Sequence, residues 1–111
     1  MDKKYLYIFT NKNLTASQIA VQSIHSAFEL ARTMTIENHP SVVLLRAKNQ
    51  EELLKQKEFI ESCGLKTKLF FEPFYNEFTS FAVEPVSEEE KYLFKKFKLI
   101  QNTDFNKLSL E

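Results

Sequence analysis

One amphipathic stretch, Leu14 to Met34 (LTASQIAVQSIHSAFELARTM), constrains this chain more than any other. At about 100° per residue, Ala20, Ile24, Ala27, Ala31 and Met34 fall on one stripe, and Gln18, Gln22, His25, Glu29 and Arg32 on the stripe opposite. That period predicts a helix. Its small apolar residues are expected to lie close against a sheet, with bulkier Ile19, Phe28 and Leu30 widening the contact. Its polar side presents Gln22 and His25, three apart and therefore neighbours, near the positive N-terminal end.

The rest of the chain supplies the sheet. Lys4 to Thr10 is apolar on both alternating faces, which predicts a doubly covered central strand. Thr15 with Gln18 has capping-box spacing, so the first helix should begin near Ala16 and end before Pro40. Ser41 to Ala47 reads as a second buried strand. Asn49 with Glu52 opens a second helix through about Cys63, with Leu53, Leu54, the Lys57 stem and Ile60 inward, and Gly64 ends it at a position that wants positive φ. Lys66 to Glu72 and Phe78 to Glu84 are too closely joined to be anything but an antiparallel hairpin. Pro85 should close the sheet. Ser87 with Glu90 then opens a last helix through Lys98, with Lys91, Lys95 and Lys98 on one face, able to touch phosphates. The order β-α-β-α-β-β-α gives an α/β class, a three-layer sandwich on a mixed four-stranded sheet, with residues 1–100 as one domain and 101–111 as a tail.

Composition narrows the function classes. Lys+Arg and Asp+Glu both number 15, so no whole-molecule field draws in a polyanion and an RNA contact would need a local patch. The single cysteine, Cys63, excludes an internal disulfide and multi-cysteine zinc arrangements, and the opening residues hold no apolar run long enough for a signal peptide or membrane span. A cytoplasmic location without membrane contact is the resulting expectation. One glycine in the whole chain rules out phosphate loops and dinucleotide fingerprints, and no cofactor or metal is expected. An exposed edge strand in so small a sheet makes a homodimer an expectation as well.

The element order and two stretches of sequence resemble the type-II peptidyl-tRNA hydrolases, the archaeal and eukaryotic kind. That family's first motif, close to R-x-D-L-x-M-x-x-G-K-x-A-A-Q-x-x-H-A-A, lies on this chain without a gap: Ala20, Gln22, His25 and Ala27 match, and Leu14 replaces the methionine. Gly64-Leu65 and Thr79 to Pro85 follow the family's later pattern, so the likeness spans roughly residues 4 to 97. The family's arginine, aspartate, glycine and lysine stand here as Phe9, Asn11, Ser17 and Gln18, and its Asp-Ala-Gly as Glu72-Pro73-Phe74.

The resemblance implies hydrolysis of the ester between peptide and tRNA. Such a reaction needs a base for water and a donor for the developing oxyanion. His25 or Glu72 could be the base, and Gln22 or Thr79 the donor, making these four the catalytic candidates. Asn11, Lys12 and Gln18 are the substrate-binding candidates, Lys12 being the nearest replacement for the missing lysine. The alternative is a fold kept after its reaction was lost: a module binding a protein or small ligand in a cleft rimmed by Phe9, Phe74, Tyr75 and Gln22.

Overall fold

Along the first strand, β1 (Lys4–Asn11), every residue from Leu6 onward is buried, so the strand needs cover on both faces. In a computed structural model, which describes residues 3–106, it has both. Leu6 and Ile8 pack with Ala82 under Leu30 of α1 (Ala16–Ala31). Tyr7 and Phe9 pack with Phe81 and Val83 under Leu53 and Ile60 of α2 (Gln50–Ser62). The sheet order is β2 (Ser41–Ala47), β1, β4 (Glu77–Val83), β3 (Thr67–Glu72). β1 and β2 are parallel, while β4 is antiparallel to both β1 and β3. The protein is the α/β sandwich expected, with a helix layer on each side of a mixed sheet.

Local chemistry sets the element ends. The Thr15 hydroxyl accepts from the Gln18 backbone N–H at 3.3 Å, and Asn49 Oδ1 accepts from that of Glu52 at 2.9 Å. Gly64, at φ 87°, follows α2 in the left-handed region that a side chain resists. The hairpin turn between β3 and β4 places Asn76 at φ 54°, a conformation asparagine tolerates.

The structure corrects four expectations. First, the sheet has five strands, because pairing resumes after Pro85 as β5 (Val86–Ser87) against Tyr5 and Lys4. Proline removes one donor but leaves its neighbours free to pair. Second, Ser87 and Glu90 open only a 3₁₀ turn, Glu88–Phe94. Phe94 stacks on Tyr7 with ring centroids 3.8 Å apart, and Phe97 meets Phe9 edge-on at 5.0 Å. These aromatic anchors pin the segment to the sheet in a geometry that a longer α-helix would not reach. The lysine face expected there is divided: Lys91 lies over the Tyr5 ring, whereas Lys98 lines a hollow with Arg46 and Lys48.

Third, Gln101 is followed by a short helix, α3 (Asn102–Asn106), where a tail was expected. Asp104 is buried, pairs with Arg46 at 3.5 Å and accepts from the Gln101 N–H. The remainder of the expected tail, residues 107–111, lies outside the described residues. Fourth, α1 turns a different side to the sheet. Its buried residues are Ile19, Gln22, Ser23, Ser26 and Leu30, whereas Ile24 and Phe28 are 65% and 62% exposed. Polar side chains can face the sheet because each finds a partner: Ser23 Oγ and Thr10 Oγ1 are 2.5 Å apart, Ser23 also bonds the Ile19 carbonyl, and Ser26 donates to the Ser23 carbonyl. Small hydroxyl residues give the close approach that the alanines were expected to give.

Candidate functional site

Gln22 sits at the centre of the site, fully buried between α1 and the β3–β4 hairpin. Its Nε2 donates to Gln18 Oε1 at 3.0 Å and to Glu72 Oε1 at 2.9 Å, and its Oε1 accepts from Thr79 Oγ1 at 2.5 Å. The backbone carbonyl of Gln22 accepts from Ser80 Oγ at 2.5 Å. Two adjacent residues of β4 can reach α1 together because the hairpin register shifts: Phe70 pairs with Ser80 and Phe71 with Phe78, leaving Thr79 as the extra residue of a bulge. Without the bulge, the two-residue period would send Thr79 to the opposite face.

Glu72 ends β3 and is held from two sides. The Gln22 side-chain N–H is the larger cause, and the Phe74 backbone N–H on Oε2 the second, of a carboxyl pKa below its ordinary value of 4.5. Partial desolvation opposes the shift, and the nearby His25 adds a smaller favourable charge effect. The His25 ring stacks on Phe70 of β3, with centroids 4.5 Å apart and planes 15° from parallel.

Four of the expected residues, Gln18, Gln22, Glu72 and Thr79, thus form one bonded group, and His25 stands beside it. The other two candidates lie elsewhere. Asn11 is buried, and its Oδ1 closes a local turn on the Asn13 N–H at 2.9 Å. Lys12 lines a separate hollow with Arg46, Lys48 and Lys98. The aromatic rim is also corrected: Phe9 is wholly buried against Phe81 on the α2 face, with centroids 4.4 Å apart, so it cannot border a cleft next to Gln22. Phe74 is 88% exposed at the hairpin turn and meets Tyr75 edge-on.

Ser80, Ser23 and Thr10 belong to the polar contact and were not singled out from sequence. The bulge shows in the packing rather than in the sequence: Phe78 and Phe81 both pack on the α2-side core although they are three apart, which a regular strand does not allow. The α1 stripe displaced from the sheet makes a second feature. Together with Val42 of β2, which is 64% exposed, Ile24 and Phe28 border a hollow of about 500 Å³ floored by Ile8 and Leu44.

No family model matches this chain, and no curated protein matches it. Among the described residues no helix is long and apolar enough to cross a membrane. Among solved structures, the chain is similar to a protein of unknown function, Atu0240, from Agrobacterium tumefaciens strain C58. The TM-score is 0.66 at 12% identity, covering 89% of this chain and 98% of that one. At this level of identity the likeness establishes a shared fold.

Proposed function

We propose that this chain is a non-catalytic binding module built on a fold of the peptidyl-tRNA hydrolase kind, acting in the cytoplasm. The observation that carries the proposal is the saturation of Gln22: both amide hydrogens and the carbonyl oxygen are engaged by Gln18, Glu72 and Thr79. A donor for an oxyanion must be aimed at the place where charge develops, and a general base must reach a water proton. Here the Thr79 hydroxyl hydrogen is spent on Gln22. Glu72 has a lowered pKa and accepts from two protein N–H groups, which makes it a weak base. The group acts as a clasp that fixes α1 to the hairpin.

The partner we favour is a protein that inserts apolar side chains between α1 and β2. The hollow there is bordered by Ile24, Phe28 and Val42, and its one polar side chain, Ser23, is already bonded to Thr10 and Ile19. A charged or sugar-like ligand would find no partner in it, whereas an amphipathic helix or strand would. A second copy of this chain is one such partner.

Peptidyl-tRNA hydrolysis is the second proposal, supported by the ionised Glu72 within charge range of His25 at the end of β3. A cleavage assay on purified protein separates the two. The binding proposal expects no turnover above the uncatalysed rate. Turnover abolished by both His25→Ala and Glu72→Gln, in variants that stay folded, would establish the hydrolase instead.

A further inference from the structure

The parallel strands β1 and β2 end side by side, but the chain leaves them in opposite directions, β1 toward α1 on one face and β2 toward α2 on the other. In open α/β sheets the crevice beyond the carboxyl ends of such a strand pair is where ligands bind. Here the residues directly after the two strands are both lysines, Lys12 and Lys48. They line a hollow of about 490 Å³ together with Lys96 and Lys98 from the segment after the 3₁₀ turn, and with Arg46. Glu52, on the same wall, is the one carboxylate, and it is occupied by the Lys48 backbone N–H at 2.9 Å. Arg46 is already paired with buried Asp104 and Lys96 lies over the Phe59 ring, so the positive charge this hollow offers a ligand comes from its other lysines, with Lys48 and Lys98 exposed.

The hollow also contains an acceptor in need of a donor. Gln56 is buried in the α2 wall, and its Nε2 donates to the Arg46 carbonyl and to Glu52 Oε1, both at 3.3 Å. Both neighbours are acceptors, so turning the amide over would only face oxygen with oxygen. Its Oε1 is the one buried side-chain polar atom without a hydrogen-bond partner among the described residues. Buried acceptors are seldom left so, and a group that supplies an O–H or N–H is what this one lacks.

We infer that the crevice binds a small phosphomonoester carrying a neighbouring hydroxyl or amino group, the chemistry shared by sugar phosphates and nucleoside monophosphates. The phosphate lies between Lys48 and Lys98, beside Lys12, and the hydroxyl or amino hydrogen is donated to Gln56 Oε1 as the flexible lysine tips move aside. A hollow of about 490 Å³ is of the size that takes a small molecule, and a nucleic-acid strand would call for a basic stripe running on beyond it along the surface.

Amide chemical-shift titrations of the full chain with inorganic phosphate, ribose 5-phosphate and adenosine monophosphate test the assignment. Saturable shifts are expected at Lys12, Lys48 and the first turns of α2. Lys48→Ala and Lys98→Ala, both at exposed side chains, should each weaken all three ligands about tenfold, the loss of one charge-assisted contact. Gln56→Leu should weaken the two organic phosphates and leave inorganic phosphate unchanged. If Gln56→Leu does not fold, the lysine variants decide alone. The assignment is overturned if no ligand gives shifts that saturate with a Kd below about 1 mM. It is equally overturned if the shifts ignore Lys48→Ala and Lys98→Ala, or if a short RNA binds with affinity that climbs with its length while the monophosphates do not bind.

Discussion

Gln22 on α1 and Glu72 at the end of β3 are fifty residues apart in sequence and joined by a hydrogen bond of 2.9 Å, while the same glutamine holds Thr79 with its other end. One buried amide thereby ties the first helix to both strands of the hairpin. Its energetic importance comes less from the bonds made than from the groups that would be stranded without them.

Replacing Gln22 by methionine, close in volume but without the amide, should leave the Thr79 hydroxyl unpaired and destabilise the fold by about 1–3 kcal/mol. Urea unfolding of Gln22→Met, Thr79→Val and the double variant measures this. The double variant should be less destabilised than the sum of the two singles, because the second change removes the stranded group.

Glu72 should contribute a pH-dependent part of stability with a definite sign. Its folded-state pKa lies below the ordinary 4.5, so its contribution is fully present above that value and is lost as pH falls through the folded pKa. Glu61, Glu88 and Glu89 are also lowered, so the comparison must be with Glu72→Gln. The stability difference between the native chain and Glu72→Gln should be constant above the ordinary value and shrink below it. A difference that does not change with pH would contradict the assignment.

The 3₁₀ turn is held by aromatic stacking, so its anchors should be unequal to its exposed residues. Phe94→Ala, which empties the site against Tyr7, should cost about 3–5 kcal/mol. Tyr92→Ala, at a position 65% exposed, should stay within about 0.5 kcal/mol of the native chain. Thermal unfolding of both variants checks the contrast.

What sequence reasoning captured and what it missed divide along local and tertiary lines. Thr15, Asn49 and Gly64 act through their own neighbours, and the ends they set agree with the structure to within a residue or two. The hairpin was equally legible, because its short connection leaves one geometry. The side of α1 that meets the sheet was not. A period calculation assigns the apolar stripe inward, but Ser23 and Ser26 can be buried at little cost once Thr10 and the helix's own carbonyls satisfy them. The last predicted helix failed for a related reason: Tyr7 and Phe9, far upstream, decide where Phe94 and Phe97 settle. Within the site, Gln22, Glu72 and Thr79 were singled out one by one in the sequence and prove to be bonded to one another, whereas the bulge that turns Thr79 toward α1 is a property of paired strands.

Because Ile24 and Phe28 carry little of the fold, charged substitutions there should separate stability from association. Ile24→Lys and Phe28→Lys should leave stability within about 0.5 kcal/mol of native. Both should abolish any self-association or protein capture made through this face, as read by sedimentation velocity. Loss of folding in either variant would show that the stripe belongs to the core after all.

The claim on which the account rests is that the Gln22 side chain is committed inside the protein and unavailable to a substrate. Hydrogen exchange of the Gln22 side-chain amide, followed by nitrogen-15 spectroscopy, tests it most directly. Two resolved, slowly exchanging Nε2 protons that shift as Glu72 is protonated are the predicted result. Exchange as fast as that of the exposed Gln101, with no response to the Glu72 titration, would contradict it.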